Sequence, residues 1–222
     1  MSEKKSVGII LAGGIGSRFH GNQPKQYYKI LGKEMIWYTI DAFQRSKNLD
    51  DFIVVVDQKE YFEKNVEKAY GVKTICGGDT RNQSMKNALD YIYVNYPECS
   101  GIVENNAACP LVTPNVIDDL LDALKEYDYA QCTYKITDAL GSYTDRTVDR
   151  ENFFLIQSPD AYRFPLLYRY FDPNAPQCHL VAQLPETTKG YNYFDFKPNF
   201  KVTYPEDIEI VELLLKRRNK EN

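Results

Sequence analysis

Short, wholly apolar runs alternate along this chain with longer stretches in which apolar residues recur every three or four positions. Residues 7–12 are apolar without alternation, the pattern of a central strand covered on both faces. Residues 52–56 repeat that pattern, and 72–76, 101–104 and 129–134 predict further strands. Between the first two strands, Ile36, Trp37, Ile40 and Phe43 set a helical period over residues 34–46. A charged helix is expected over about 59–70 and another from the low 80s to about 96. A fourth begins at Thr113, whose side chain would cap it with Pro114 in the first turn, and runs to about 127. Residues 28–33 read as a short extended piece ending in a turn, and 164–171 as helical. Residues 203–207 lead into a C-terminal helix that ends near 215, before a solvated Lys216-Arg217-Arg218 tail. The alternation of strand and helix predicts an α/β fold, a doubly wound and mostly parallel twisted sheet. Such sheets take ligands in the crevice at the carboxyl ends of their strands.

Composition narrows this picture without redirecting it. A length of 222 residues suits one domain spanning 1–222 with a sizeable core. The net charge of -4 argues against a general nucleic-acid binder. No apolar run approaches the roughly 20 residues that a membrane span needs. The opening Met-Ser-Glu-Lys-Lys-Ser leads straight into the first strand without a signal-peptide pattern, so a cytoplasmic location is expected. Five cysteines (Cys76, Cys99, Cys109, Cys132 and Cys178) without Cys-x-x-Cys spacing point to reduced thiols, not to a disulfide framework or a zinc site. With His20 and His179 as its two histidines, the chain is not expected to build a histidine-based metal site.

Candidate chemistry starts where the first strand ends. Leu11-Ala12-Gly13-Gly14-Ile15-Gly16-Ser17-Arg18 is followed by Pro24-Lys25-Gln26-Tyr27. Glycines directly after a buried strand let backbone N–H groups approach an anion with no side chain in the way. Arg18 and Lys25 add fixed positive charge beside them, and a polyphosphate is the natural ligand. A dinucleotide-binding fingerprint would need glycine where Phe19 stands, and a Walker A loop needs a Gly-Lys-Ser/Thr that is absent. A second loop, Gly77-Gly78-Asp79-Thr80-Arg81-Asn82-Gln83-Ser84, again follows a strand and opens a helix. A third stretch, 101–113, is an apolar strand that ends in Asn105-Asn106, then small Ala107-Ala108, then Cys109-Pro110. Residues 135–150 are polar and turn-rich, a long excursion for a compact chain.

Leu-Ala-Gly-Gly-x-Gly-x-Arg with a following Pro-Lys-Gln-Tyr resembles the signature of the cytidylyltransferases that activate alditol phosphates, and the likeness covers nearly the whole chain. That family includes the methylerythritol 4-phosphate and ribitol 5-phosphate enzymes. The resemblance implies a Rossmann-like nucleotidyltransferase fold with a protruding dimerisation arm at about 135–150. It implies transfer of CMP from CTP to a small phosphorylated or phosphonate acceptor, with release of pyrophosphate. Carried over residue by residue, Arg18, Lys25 and Lys201 are the catalytic cations on the triphosphate. Leu11, Ala12, Gly13, Gly14 and Gly16 would hold the nucleotide, Gly78, Asp79 and Ser84 would read cytosine, and Asn106 and Ala107 would lie by the ribose. Arg81 is placed to brace the second loop instead. Arg150 and Ser158 would meet the acceptor phosphate, by a match to the family's arginine and Gln-Thr-Pro segment at equal spacing. The implied cofactor is Mg2+. The implied partners are CTP, a small phosphorylated acceptor and a second copy of the chain, with no nucleic acid and no membrane.

The chain departs from the family pattern on the acceptor side. Asn106 stands at the position of an aspartate that serves the metal and ribose, so no metal ligand is assigned with certainty. Asn105 replaces a histidine and Cys109 an arginine. A family threonine falls at about Ala139, and Cys178-His179 replaces a Thr-Asp or Ser-Asp pair. These departures predict poor use of methylerythritol 4-phosphate and a preference for another acceptor. Two other readings stay open on the residues: a nucleotide-binding protein of this fold that has lost catalysis, and a sugar-1-phosphate nucleotidyltransferase using another base.

Overall fold

The structure, a computed structural model, describes residues 5–14, 16–19, 23–177, 179–196 and 199–221. The first apolar run forms β1 (Lys5–Leu11), followed by a small hairpin of β2 (Lys29–Ile30) and β3 (Lys33–Glu34). Next come α1 (Met35–Gln44), β4 (Asp51–Val56), α2 (Gln58–Glu63), α3 (Asn65–Tyr70) and β5 (Lys73–Cys76). The chain continues through α4 (Arg81–Asn95), β6 (Cys99–Asn106), α5 (Pro114–Ala123) and β7 (Tyr129–Lys135). It ends with β8 (Phe154–Arg163), α6 (Phe164–Tyr170), β9 (Gly190–Tyr193) and α7 (Asp207–Glu221). No described helix is long and apolar enough to cross a membrane.

Seven strands make one sheet in the order β5-β4-β1-β6-β8-β7-β9. β1 runs parallel to β4 and β6, β4 to β5, and β7 to β9. β8 alone is antiparallel to its neighbours, β6 and β7. Alternate residues of the central strands feed two cores. Ile10, Val54 and Val103 pack with Ile36 and Ile40 of α1 and Ile117 and Leu120 of α5. Ile9, Ile53 and Ile102 pack on the other face with Met85 and Leu89 of α4 and Leu167 of α6. Burial on both faces explains why these strands read as unbroken apolar runs. A third cluster, including Phe19, Ile30, Leu111, Val202, Val211 and Leu215, joins the hairpin and loops to α7.

Local chemistry sets the helix starts. Thr113 caps α5 by accepting the Val116 N–H at 3.4 Å, with Pro114 in the first turn. At α4 a reciprocal capping box joins Thr80 and Gln83. The structure corrects several expected elements. The helix of 59–70 is two helices, because Lys64 takes a left-handed conformation (φ 58°) between them. α5 stops at Ala123 and not near 127. The tail after Leu215 is not free coil: α7 continues through it, and the Arg218 guanidinium donates to the Leu111 carbonyl at 2.9 Å. β8 and β9 were not expected at all. His20, Gly21, Asn22 and Cys178 lie outside the described residues. Residues 136–149 carry no helix or strand and are mostly exposed, as the polar pattern suggested.

Candidate active site

β1 lies between β4 and β6, and the chain winds outward from it in both directions. The loops at the carboxyl ends of β1, β4, β5 and β6 therefore converge. They enclose a cleft of about 750 Å³. Every nucleotide-side residue expected from the sequence lines it: Leu11, Ala12, Gly13, Gly14, Gly16, Arg18, Lys25, Gly78, Asp79, Ser84, Asn106, Ala107 and Lys201.

The first loop is held by its backbone. The Ala12 N–H donates to the Val55 carbonyl at 2.7 Å. The buried Gln26 side chain donates to the Ala12 carbonyl at 2.6 Å, so the residue after Lys25 clamps the start of the glycine loop. A Cβ on Gly13 would stand 3.3 Å from the Asp57 nitrogen, so the loop passes close to the end of β4. Gly16 has φ 68°, a conformation costly to residues with a Cβ, and it lets Lys25 lie alongside.

Lys25 is half-buried and its ammonium donates to the Val202 carbonyl at 2.8 Å. Burial, followed by the positive charges of Lys201 and Arg18, holds its pKa below the usual lysine value. Cys109 and Asp207 act in the other direction. Among the described residues, no salt bridge pairs Arg18, Lys25 or Lys201 with an acid. Mutual repulsion of this kind is tolerated where an anion is to be bound. Hydrogen bonds tie the parts together. The Ala107 N–H donates to the Leu11 carbonyl at 3.0 Å, and the Val202 N–H to the Ala108 carbonyl at 2.9 Å. The ends of β1 and β6, the segment carrying Lys201, and Lys25 are thus joined by hydrogen bonds.

The second loop is braced from both sides. Ser84 Oγ accepts the Gly78 N–H at 3.0 Å and donates to the Gly78 carbonyl at 3.3 Å. Its hydroxyl is therefore engaged with the loop that it was expected to share with the base. A Cβ on Gly78 would overlap the Gln83 side chain. Arg81 does brace the loop, through a 2.5 Å ion pair with Glu104. Asp79 is exposed at the cleft.

At the end of β6, Asn105 is fully buried and donates to the carbonyls of Asn106 (3.1 Å) and Cys109 (3.3 Å). Asn106 Oδ1 accepts the Ala108 N–H at 3.0 Å. The Cys109 thiol is buried, and burial pushes its pKa up to about 12. It is a core thiol that does not line the cleft. The acids on the cleft wall are Asp57 and Asp79, and Asp57 Oδ1 already accepts the Glu60 N–H at 3.1 Å. Among the described residues no group of three or more His, Cys, Asp or Glu could hold a metal ion. This donor set fits a magnesium ion carried by phosphate oxygens and water, with few protein ligands.

The two acceptor-side residues do not join this cleft within one chain. Arg150 is exposed, pairs with Glu151 at 3.3 Å and donates to the Thr137 carbonyl. The Ser158 carbonyl accepts from Asn199 at 2.7 Å, and the Ser158–Pro159 peptide is cis. Sequence reasoning missed Gln26, Asp57 and Thr203 as part of the site. Each had a faint signal: Gln26 follows Lys25, Asp57 ends an apolar run, and Thr203 lies two residues after Lys201.

The family model for 2-C-methyl-D-erythritol 4-phosphate cytidylyltransferase matches residues 7–217. The chain belongs to that family. It is accordingly an enzyme, a cytidylyltransferase. The 2-C-methyl-D-erythritol 4-phosphate cytidylyltransferase of Clostridium beijerinckii is 31% identical over 94% of this chain and 97% of its own length. The bifunctional ribulose 5-phosphate reductase/CDP-ribitol pyrophosphorylase of Haemophilus influenzae is 28% identical over 99% of this chain, which spans 50% of that protein. The crystal structure of 4-diphosphocytidyl-2C-methyl-D-erythritol synthase from Anaerococcus prevotii shares the fold, with a TM-score of 0.82 at 21% identity over 96% of each chain.

Proposed function

We propose that the cleft binds CTP and transfers its CMP to the phosphate of a small alditol-type acceptor, releasing pyrophosphate. The observation that carries this reading is the convergence of Arg18, Lys25 and Lys201 on a glycine loop, unpaired with any acid among the described residues. An oxygen of the acceptor phosphate attacks the α-phosphorus. The bond from that phosphorus to the bridging oxygen breaks, and the electron pair leaves with pyrophosphate. No covalent enzyme intermediate is needed, and catalysis is positioning plus charge stabilisation. Lys25 and Lys201 offset charge on the triphosphate, and Arg18 stands where charge grows on the leaving group. Magnesium, when bound to the phosphates, would offset further charge there. Gly78 and Asp79 offer acceptors to the cytosine amino group, and Ser84 keeps them in place. Asn106 and Ala107 flank the ribose.

The acceptor is proposed to be an alditol phosphate, or a phosphonate, other than methylerythritol 4-phosphate. At the end of β6 the chain presents neutral Asn106 and a buried Cys109, so these two positions bring no charge of their own to an acceptor phosphate. A CDP-ribitol pyrophosphorylase among the relatives supports an acceptor of the ribitol phosphate kind. Arg150 and Ser158 are proposed to serve the acceptor in a homodimer joined by the segment near 135–150. Exposed Phe153, Leu155 and Ile156 beside that segment favour such a contact. Pyrophosphate release with CTP over a panel of phosphorylated acceptors tests the reading. Lack of release with every acceptor would overturn it.

A further inference from the structure

β6 carries an acid where the strand pattern calls for an apolar residue. Glu104 lies on the same face as Ile102, beneath α4, and is only 1% exposed. Its register partner on β8 is Asp160, 4% exposed, and the partner of Asp160 on β7 is the buried Gln131. Two carboxyl groups this close and this deeply buried cannot both stay charged without compensation. The cation that meets them is Arg81, 2.5 Å from Glu104 Oε1. Glu104 Oε2, Asp160 Oδ1, Gln131 Oε1 and His179 Nε2 have no hydrogen-bond partner among the described residues. Burial, and then the Glu104 charge, raise the Asp160 pKa well above the usual carboxylate value. Around it, Tyr162 donates to Asp160 at 3.3 Å. Burial keeps the Cys109 and Cys132 thiols protonated, and burial with Arg81 keeps His179 neutral. The ion pair of this cluster is Glu104 with Arg81.

The ion pair spans an unusual distance in the topology. Arg81 opens α4 immediately after the loop that follows β5, while Glu104 is on β6. β4 and β1 lie between those strands in the sheet. Glu104 is two residues before Asn106 on one wall of the cleft, and Arg81 is two residues after Asp79 on the other. The capping box and the Ser84–Gly78 bonds fasten the loop to α4. The Arg81–Glu104 pair fastens α4 to β6.

We infer that Glu104 is a positioning residue for base selection: it fixes Arg81, and through Arg81 the distance between the 77–80 loop and the end of β6. This rests on the proposed reading of the cleft as a CTP site. Calorimetric binding of CTP and UTP, with kcat at saturating CTP, tests it in the wild type, Glu104→Gln and Asp160→Asn. Glu104→Gln should weaken CTP binding roughly tenfold and cut the CTP-to-UTP preference, with kcat changed by no more than about threefold. Asp160→Asn, which mimics the protonated acid, should keep the wild-type affinity and preference. Discrimination in the wild type that survives in Glu104→Gln would overturn the inference alone. An equal loss in Asp160→Asn would also overturn it, because the cluster would then act only through packing. A wild type that binds CTP and UTP equally would overturn the base-pocket reading and the inference with it. If Glu104→Gln does not fold, Glu104→Asp keeps the charge one methylene short of Arg81. It should show the same loss in smaller measure, and unchanged selectivity there would count against the inference.

Discussion

Replacing Lys25 separates a binding role from a folding role. In the cleft its ammonium is half-buried, 2.8 Å from the Val202 carbonyl, and repelled by Lys201 and Arg18. Its folded pKa lies below the unfolded value, so the charged form costs stability at neutral pH. That cost fades as pH rises through the depressed value. Lys25→Ala therefore loses one hydrogen bond, about 1 kcal/mol net, while relieving repulsion, and the melting temperature should move little. CTP binding should respond differently. A charge-assisted contact to phosphate contributes about 1.5–3 kcal/mol, so the dissociation constant should rise roughly 10- to 150-fold. Lys25→Gln can still donate to the Val202 carbonyl without a charge, and should show nearly the same loss of affinity. Titration calorimetry with CTP, alongside thermal melts, measures both quantities. A bound triphosphate also favours the ammonium, so binding should take up protons increasingly as pH becomes alkaline. Affinity within about twofold of wild type in both variants would refute the reasoning, since an energetically silent Lys25 cannot be a triphosphate ligand.

Gln26→Ala leaves the buried Ala12 carbonyl unpaired and should destabilise the chain by about 1–3 kcal/mol, read as a drop in melting temperature of roughly 2–12 °C. Its CTP affinity should also fall, because the clamp on the glycine loop is gone. Asp160 has a folded pKa above its unfolded one, so the stability it contributes is full in acid and is lost as pH rises through the folded value. Asp160→Asn should accordingly gain stability relative to wild type at pH 8 compared with pH 5, by melts at each pH; a gain confined to the acid side would contradict the assignment. Sedimentation at micromolar concentration should give the mass of a dimer, and truncating residues 138–147 should shift it towards the monomer.

The fold was legible wherever one physical rule dominated. Unbroken apolar runs marked β1 and β4 because both sheet faces are covered, and Thr113-Pro114 marked the start of α5 because capping is local. β8 was hidden because its outer half is exposed and its inner half carries Asp160, so it shows neither a clean alternation nor an apolar run. Lys64 broke an expected helix through a backbone conformation that its side chain does not advertise. The glycine and cation lining of the cleft was readable because those residues sit in continuous motifs at strand ends. The Arg81–Glu104 pair was not fully readable: its partners are far apart in sequence, and their meeting depends on strand order. Ser84 lines the cleft, but its hydroxyl bonds to Gly78 could be seen only in three dimensions.

Steady-state pyrophosphate release bears most directly on the proposed transfer. It should be followed with CTP, UTP, GTP and ATP, each against methylerythritol 4-phosphate, ribitol 5-phosphate and small phosphonates. The expected result is CTP-dependent release with an acceptor other than methylerythritol 4-phosphate, at a kcat/KM above about 10⁴ M⁻¹s⁻¹, and much slower release with methylerythritol 4-phosphate. Turnover of methylerythritol 4-phosphate above that same value of about 10⁴ M⁻¹s⁻¹ would contradict the acceptor assignment. Absence of release from CTP with every acceptor would contradict CMP transfer itself.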